Sequence, residues 1–246
     1  HMQGLSATGI YTITFFFGAL VLIPSRSMTK VSSIVISDAF KRKDLKEIDS
    51  IYKKSSINLG IIGMLILIGL WGNMENIFLL IGDDFRAGYW VILLIGFANL
   101  LDMFMGVSNN IFFNSKYYTT SSYLSFFFII ALVISNLILI PVYGIVGAAL
   151  ASLISKFAFN LFKYFFLWKK LNFQPFSWKT LNLIGIGLLT VFLIQFLPVM
   201  SNFIIDIILR SFLISLFFGL AVLVFRLSSD LNLWAKKIWG GLSSMK

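Results

Sequence analysis

Cysteine is absent from the chain, and histidine occurs once, at His1. Without cysteine there is no disulfide framework, thiolate metal site or cysteine nucleophile. With one histidine, any metal chemistry falls to carboxylates, and only ten Asp and Glu occur in 246 residues. Neither a metal nor another cofactor is expected. Charge is also scarce. Only 12% of residues are charged, about half the roughly 25% of a soluble domain. Such a chain is not built to face water on all sides.

What the chain has instead is apolar length. Hydrophobic residues make up 59%, and the mean hydropathy is +0.92. A bilayer crossing needs about 20 mostly apolar residues. Runs of that kind lie at 9–36, 55–72, 88–107, 119–140, 144–167, 180–198 and 203–226. The expected fold is an all-α integral membrane protein with about seven transmembrane helices. Pro24 interrupts the first run and predicts a kink or break, because proline removes a backbone donor. The segment 40–54 places Leu45, Ile48, Ile51 and Tyr52 at helical spacing and reads as an amphipathic interfacial helix. The end of the chain, with Trp234 and Trp239 beside Lys236 and Lys237, reads as a second interfacial segment.

The net charge of +10 is explained by where the cations lie. Alternate connectors collect Lys41, Arg42, Lys43, Lys46, Lys53, Lys54, Lys116, Lys169, Lys170, Lys179, Arg226, Lys236, Lys237 and Lys246, whereas the opposite side clearly carries only Arg86. By the positive-inside rule the first set is cytoplasmic. The basic excess is then a matter of topology, and no nucleic-acid partner is expected. The N-terminus falls outside and the C-terminus in the cytoplasm, the pattern of the second half of a longer protein.

Few residues could carry chemistry. Arg26 and Lys30 are four apart on one helical face, inside an apolar run. A cation at membrane depth costs about 2.5–3.5 kcal/mol on insertion scales and is kept for a pathway, a partner or a ligand. Two readings stand: a basic wall that meets an anionic headgroup, or side chains snorkelling to the cytoplasmic interface. Asn99, Asp102, Gly106 and Asn109 or Asn110 form a polar stripe. Asp102 is either a counter-ion to Arg26, Lys30 or Lys156, or a site of proton or sodium coupling. On another run, Lys156, Asn160 and Lys163 share a face. Lys156 is deep there, while Lys163 is near enough to the cytoplasmic end to snorkel. Asp206 and Arg210, at i and i+4, read as a local ion pair.

Several segments in order resemble the Wzx-type O-antigen and capsular polysaccharide flippases. They are Gly9-Ile10-Tyr11, Ile23-Pro24-Ser25-Arg26, Ile36-Ser37-Asp38-Ala39-Phe40, Ile51-Tyr52-Lys53-Lys54-Ser55-Ser56, Tyr89-Trp90-Val91-Ile92, Asp102 with Gly106-Val107, Ser115-Lys116-Tyr117-Tyr118, and Ile140-Pro141-Val142-Tyr143-Gly144 running on to Ala151. The resemblance implies the multidrug, oligosaccharidyl-lipid and polysaccharide exporter superfamily, whose flippases have fourteen helices in two lobes. Residues 1–178 would be helices eight to twelve of the C-terminal lobe, 179–226 two further transmembrane helices and 227–246 a cytoplasmic or interfacial tail.

The implied function is not enzymatic. It is the flipping of undecaprenyl-pyrophosphate-linked oligosaccharide across the bacterial inner membrane by alternating access, for surface polysaccharide biosynthesis. Arg26, Lys30 and Lys156 would contact the substrate, and Asp102 with Asn99 would pair charge or couple transport to a H+ or Na+ gradient. The implied partners are the lipid-linked oligosaccharide, membrane lipids, and the remaining half of about seven helices or another subunit. Two alternatives remain at this stage: a cation-coupled exporter of the same superfamily, and a polytopic glycosyltransferase or polymerase.

Overall fold

The computed structural model describes residues 5–197 and 200–243. Pro198, at the end of the sixth apolar run, the Trp239 side chain and Lys246 lie outside what is described. Among the described residues every regular element is helical. Five helical tracks are long and apolar enough to cross a membrane: Ala7–Lys41, Leu45–Gly72, Asp83–Phe104, Tyr118–Leu171 and Phe203–Val224. Trp178–Ile194 is a shorter apolar helix. This is the make-up of a polytopic helical membrane protein. Its outer surface agrees, since Phe127, Leu137, Leu188 and Phe212 each stay more than half exposed.

The first track comprises α1 (Leu5–Ala19), a 3₁₀ turn (Leu20–Leu22) and α2 (Ile23–Lys41). The kink or break expected at Pro24 falls just before it, where α-helix gives way to the 3₁₀ turn at Leu20–Leu22. Proline sits in the first turn of α2, where its missing N–H matters least. The Ile23 N–H bonds to the Leu20 carbonyl, and Ser25 Oγ donates to the Leu22 carbonyl at 2.7 Å.

The expected interfacial helix at 40–54 is not a separate element. After a turn at Arg42–Lys43, Asp44 caps α3 (Leu45–Gly72) by accepting the Glu47 N–H at 3.0 Å. Ile48 and Tyr52 are fully buried in a cluster with Ile111, Phe112, Leu167 and Phe173. The apolar stripe packs on other helices rather than on headgroups. The remainder of α3 is the hub of the bundle, packed by α2, α5, α8 and α9.

The connector expected between the second and third runs holds α4 (Met74–Ile81) and a 3₁₀ turn (Asp83–Gly88), which lead into α5 (Tyr89–Phe104). Within that connector Arg86 pairs with Asp83 and Glu75.

The third run does not continue through residue 107. It breaks at 105–107 and resumes as α6 (Ser108–Asn114). Gly106 turns the chain at φ +52°, where a Cβ would run into Ser55 Oγ and the Ser56 backbone. These two serines of α3 satisfy the break, because Ser56 Oγ donates to the Phe104 carbonyl and Ser55 Oγ accepts the Val107 N–H.

Helical backbone continues from Tyr118 to Leu171 (α7) except at Gly144, where φ is 58° and ψ −133°, a conformation open to glycine. A straight helix would put Phe128 and Phe159 about 46 Å apart, yet their ring centroids are 5.1 Å apart. Thus α7 is a hairpin of two antiparallel arms, 118–143 and 145–171. Gly147 sits so close to the Leu139 carbonyl that no Cβ fits. Two apolar helices complete the bundle, α8 (Trp178–Ile194) with a Ser177–Thr180 capping box and α9 (Phe203–Val224) capped by Asn202. A last helix, α10 (Ser229–Ser243), follows, tied to α3 by Asn58 Nδ2 donating to Asp230 at 2.8 Å and Ser228 Oγ donating to Asn58 at 2.7 Å.

Candidate functional site

Ser152, Lys156, Asn160 and Lys163 are spaced by four, four and three, so the second arm of α7 carries them on one face. The same logic groups Asn99 and Asp102 on α5, with Asn109 beyond the break on α6. The two faces meet in a polar seam inside an apolar bundle. Lys156 Nζ donates to Asp102 Oδ2 at 2.7 Å and to Asn99 Oδ1 at 2.6 Å. Asn160 Nδ2 donates to Asp102 Oδ1 at 2.7 Å. The other end of the Asn99 amide donates to the Gly18 carbonyl of α1 at 3.0 Å. Asp102 is therefore the counter-ion of Lys156, and not of Arg26 or Lys30.

Lys163 does not snorkel. It is 3% exposed, donates to Asn109 Oδ1 at 3.2 Å and lies 4.5 Å from the centre of the Phe159 ring. Asn110, next to Asn109, faces the other way and donates to the Thr29 carbonyl of α2 at 2.7 Å. The stripe read from the sequence thus divides, with Asn99, Asp102 and Asn109 towards α7 and Asn110 towards α2.

Arg26 and Lys30 stand apart from the seam. Both are exposed, and neither has an ion pair or side-chain hydrogen bond among the described residues. Helix α2 buries Ser32, Ile36 and Ala39 on one side and packs on α3 and α6. Its other side presents Ile23, Arg26, Ser27, Lys30, Val31 and Ile34, with no helix of the bundle over it. Helix α6 packs on both α2 and α7. The exposed cations and the seam therefore flank one short helix.

At the other end of α3, Asp206 and Arg210 pair at 2.6 Å as the sequence indicates. The structure adds Asn76 of α4, donating to Asp206 Oδ2 at 2.6 Å, and the Met200 N–H at 2.9 Å. These bonds tie α4 to α9 beside a cavity of about 360 Å³. Asn76 carries no sequence signal for this, because its partner is 130 residues away. Among the described residues, no group of three or more His, Cys, Asp or Glu side chains is placed to hold a metal ion.

Comparison with family models, with curated proteins and with solved structures returns no match.

Proposed function

We propose that this chain is one lobe of a flippase that moves undecaprenyl-pyrophosphate-linked oligosaccharide across the bacterial inner membrane. One observation carries the reading. Arg26 and Lys30, exposed and without an ion pair among the described residues, share the outward face of α2, within a track long and apolar enough to cross a membrane. Bare lipid is a poor neighbour for two cations. A hydrated cleft holding an anionic headgroup is a good one, because charge-assisted hydrogen bonds to phosphate oxygens are strong there. With α7 counted as two crossings and α8 as one, the bundle has about seven spans. This supports an external N-terminus and a cytoplasmic C-terminus under the positive-inside rule.

A second bundle, from the same longer protein or from another subunit, would face α2 and close the cleft. Arg26 and Lys30 would then bind the pyrophosphate from one side, with Lys156 reached from the seam. The sugars would occupy the water of the cleft and the polyprenyl tail would stay in lipid. Rocking of the two lobes would expose the cleft to each side in turn. No bond to the substrate forms or breaks.

The test is binding of undecaprenyl-pyrophosphate-linked oligosaccharide to the chain in lipid nanodiscs. Arg26→Ala with Lys30→Ala is expected to weaken binding at least tenfold, since each lost charge-assisted contact is worth about 1.5–3 kcal/mol. Equal affinity in the double variant would remove the basis of the proposal.

A further inference from the structure

Towards its C-terminal end, α2 borders a polar groove of about 590 Å³, with Ser33, Ser37, Asp38 and Lys41 on one wall and Asn114 of α6 on the other. Serine and threonine inside a helix often return the hydroxyl to a carbonyl one turn back. Ser25 and Thr29 of α2 do so, at 2.7 and 2.8 Å. Ser33 and Ser37 do not, and neither hydroxyl has a partner among the described residues. For Ser33 the cause is visible. The carbonyl one turn back is that of Thr29, which already accepts Asn110 Nδ2 at 2.7 Å besides the N–H that helical pairing brings to it, and a carbonyl has two lone pairs.

The other wall is equally uncommitted. Asn114 donates Nδ2 to the Asn110 carbonyl at 2.9 Å, which leaves its Oδ1 without a partner among the described residues. Asp38 holds Arg42 through Oδ2 at 3.1 Å and keeps Oδ1. The groove thus offers two hydroxyls, an amide oxygen, a carboxylate oxygen and the Lys41 ammonium. This set fits a neutral polyhydroxyl compound. A phosphate would meet repulsion from Asp38, whereas sugar hydroxyls donate to carboxylate and amide oxygens and accept from serine and ammonium. The charge along α2 divides accordingly, because Arg26 and Lys30 lie in its first half and Asp38, its one acidic residue, lies near its end. Ser33 and Ser37 follow Lys30 by about 5 and 10 Å along the axis. That is the stretch the first sugars cover when a pyrophosphate sits on Lys30 and the saccharide trails towards Lys41.

We propose that the groove between α2 and α6 holds the sugars nearest the pyrophosphate, with Ser33, Ser37, Asn114 and Asp38 bonding their hydroxyls while Arg26 and Lys30 bind the anion. The inference rests on the proposed function and goes beyond it by assigning sugar recognition to a second site on the same helix. That site adjoins the basic stretch Lys41 to Lys43, the cytoplasmic side under the positive-inside rule. The sugar is therefore read where the substrate is loaded.

The experiment measures binding to the chain in nanodiscs of undecaprenyl pyrophosphate without sugar, and of the same lipid bearing one glucose, galactose or N-acetylglucosamine. The wild type is expected to bind at least one sugar-bearing lipid about tenfold more tightly than the bare one, since each neutral hydrogen bond is worth a factor of about two to ten. Ser33→Ala with Ser37→Ala and Asn114→Ala should lose that gain and hold the bare lipid within about twofold. Ser37→Trp, which fills the groove, should do the same. Equal wild-type affinity for the bare and all three sugar-bearing lipids overturns the assignment, and this comparison needs no variant to fold. So does a gain that survives in both variants, or an equal loss of bare and sugar-bearing lipid in both. The functional proposal stands through each of these results as long as Arg26→Ala with Lys30→Ala weakens binding of the bare lipid. If the wild type binds none of the four lipids, or that double variant binds them equally well, the functional proposal falls and this inference with it.

Discussion

Lys156 and Lys163 sit seven residues apart on one helical face, and the same substitution should affect them in opposite directions. Lys156→Met removes the ammonium between Asp102 and Asn99. Breaking a fully buried ion pair costs about 3–5 kcal/mol, and an exposed one about 0–1 kcal/mol. With side chains 22% and 23% exposed, and with Asn160 still bonded to Asp102, a loss of about 2 kcal/mol follows from interpolating between those limits. For a chain of this size that is roughly a 4–8 °C fall in Tm. Lys163→Met removes an ammonium with no carboxylate within ion-pair distance among the described residues, held by Asn109 and an aromatic ring. The loss of about 1 kcal/mol of hydrogen bonding is offset by relief from burying a charge. Its Tm should equal or exceed that of the wild type. The assay is thermal unfolding of purified variants in one detergent, followed by size-exclusion chromatography after heating. If Lys163→Met falls as far as Lys156→Met, the seam is not organised around Asp102 and the reasoning fails.

Three other outcomes can be checked. Because the chain contains no cysteine, Phe128→Cys with Phe159→Cys can be probed on a clean background. A bifunctional maleimide spanning about 10 Å should link the pair efficiently, whereas a straight α7 would hold the two sites about 46 Å apart and give no product. Gly106→Ala should lower stability by about 1–3 kcal/mol, through its positive φ and the contact with Ser55 and Ser56. Gly69→Ala, where nothing lies within 4 Å of the added Cβ, should be neutral or stabilise by up to about 1 kcal/mol, and melting curves distinguish the two. Asn76→Ala removes a donor from a carboxylate that is 2% exposed. It should cost about 1–3 kcal/mol and increase amide hydrogen exchange in α4 before the rest of the bundle.

The apolar helices were legible because the bilayer imposes a length that single residues hardly alter, and the reversal at Gly144 was legible as the end of one apolar run and the start of the next. The break between α5 and α6 was not. The chain turns at Gly106 with Ser55 and Ser56, about fifty residues earlier, bonding the Val107 N–H and the Phe104 carbonyl on either side of it, and no local pattern encodes that. The stripe Leu45, Ile48, Ile51 and Tyr52 was misread for a related reason, since an amphipathic pattern is the same whether its apolar side meets lipid headgroups or other helices. Lys163 looked like a snorkelling residue because its distance from the end of the run permits it, and only the positions of Asn109 and Phe159 draw it inward. For Asp102, the spacing offered three cations at comparable depth. The choice of Lys156 followed from the crossing of α5 and α7, which is tertiary information.

If the outward face of α2 borders water and substrate rather than lipid, as proposed, Ser27, exposed beside Arg26, lies within reach of aqueous reagents. In the cysteine-free chain, Ser27→Cys in proteoliposomes is treated with a charged, water-soluble thiol reagent, with and without undecaprenyl-pyrophosphate-linked oligosaccharide. Rapid labelling that the lipid-linked sugar suppresses is the predicted result. Labelling only by a lipid-soluble maleimide, indifferent to the substrate, would place that face against hydrocarbon and rule out the proposed cleft.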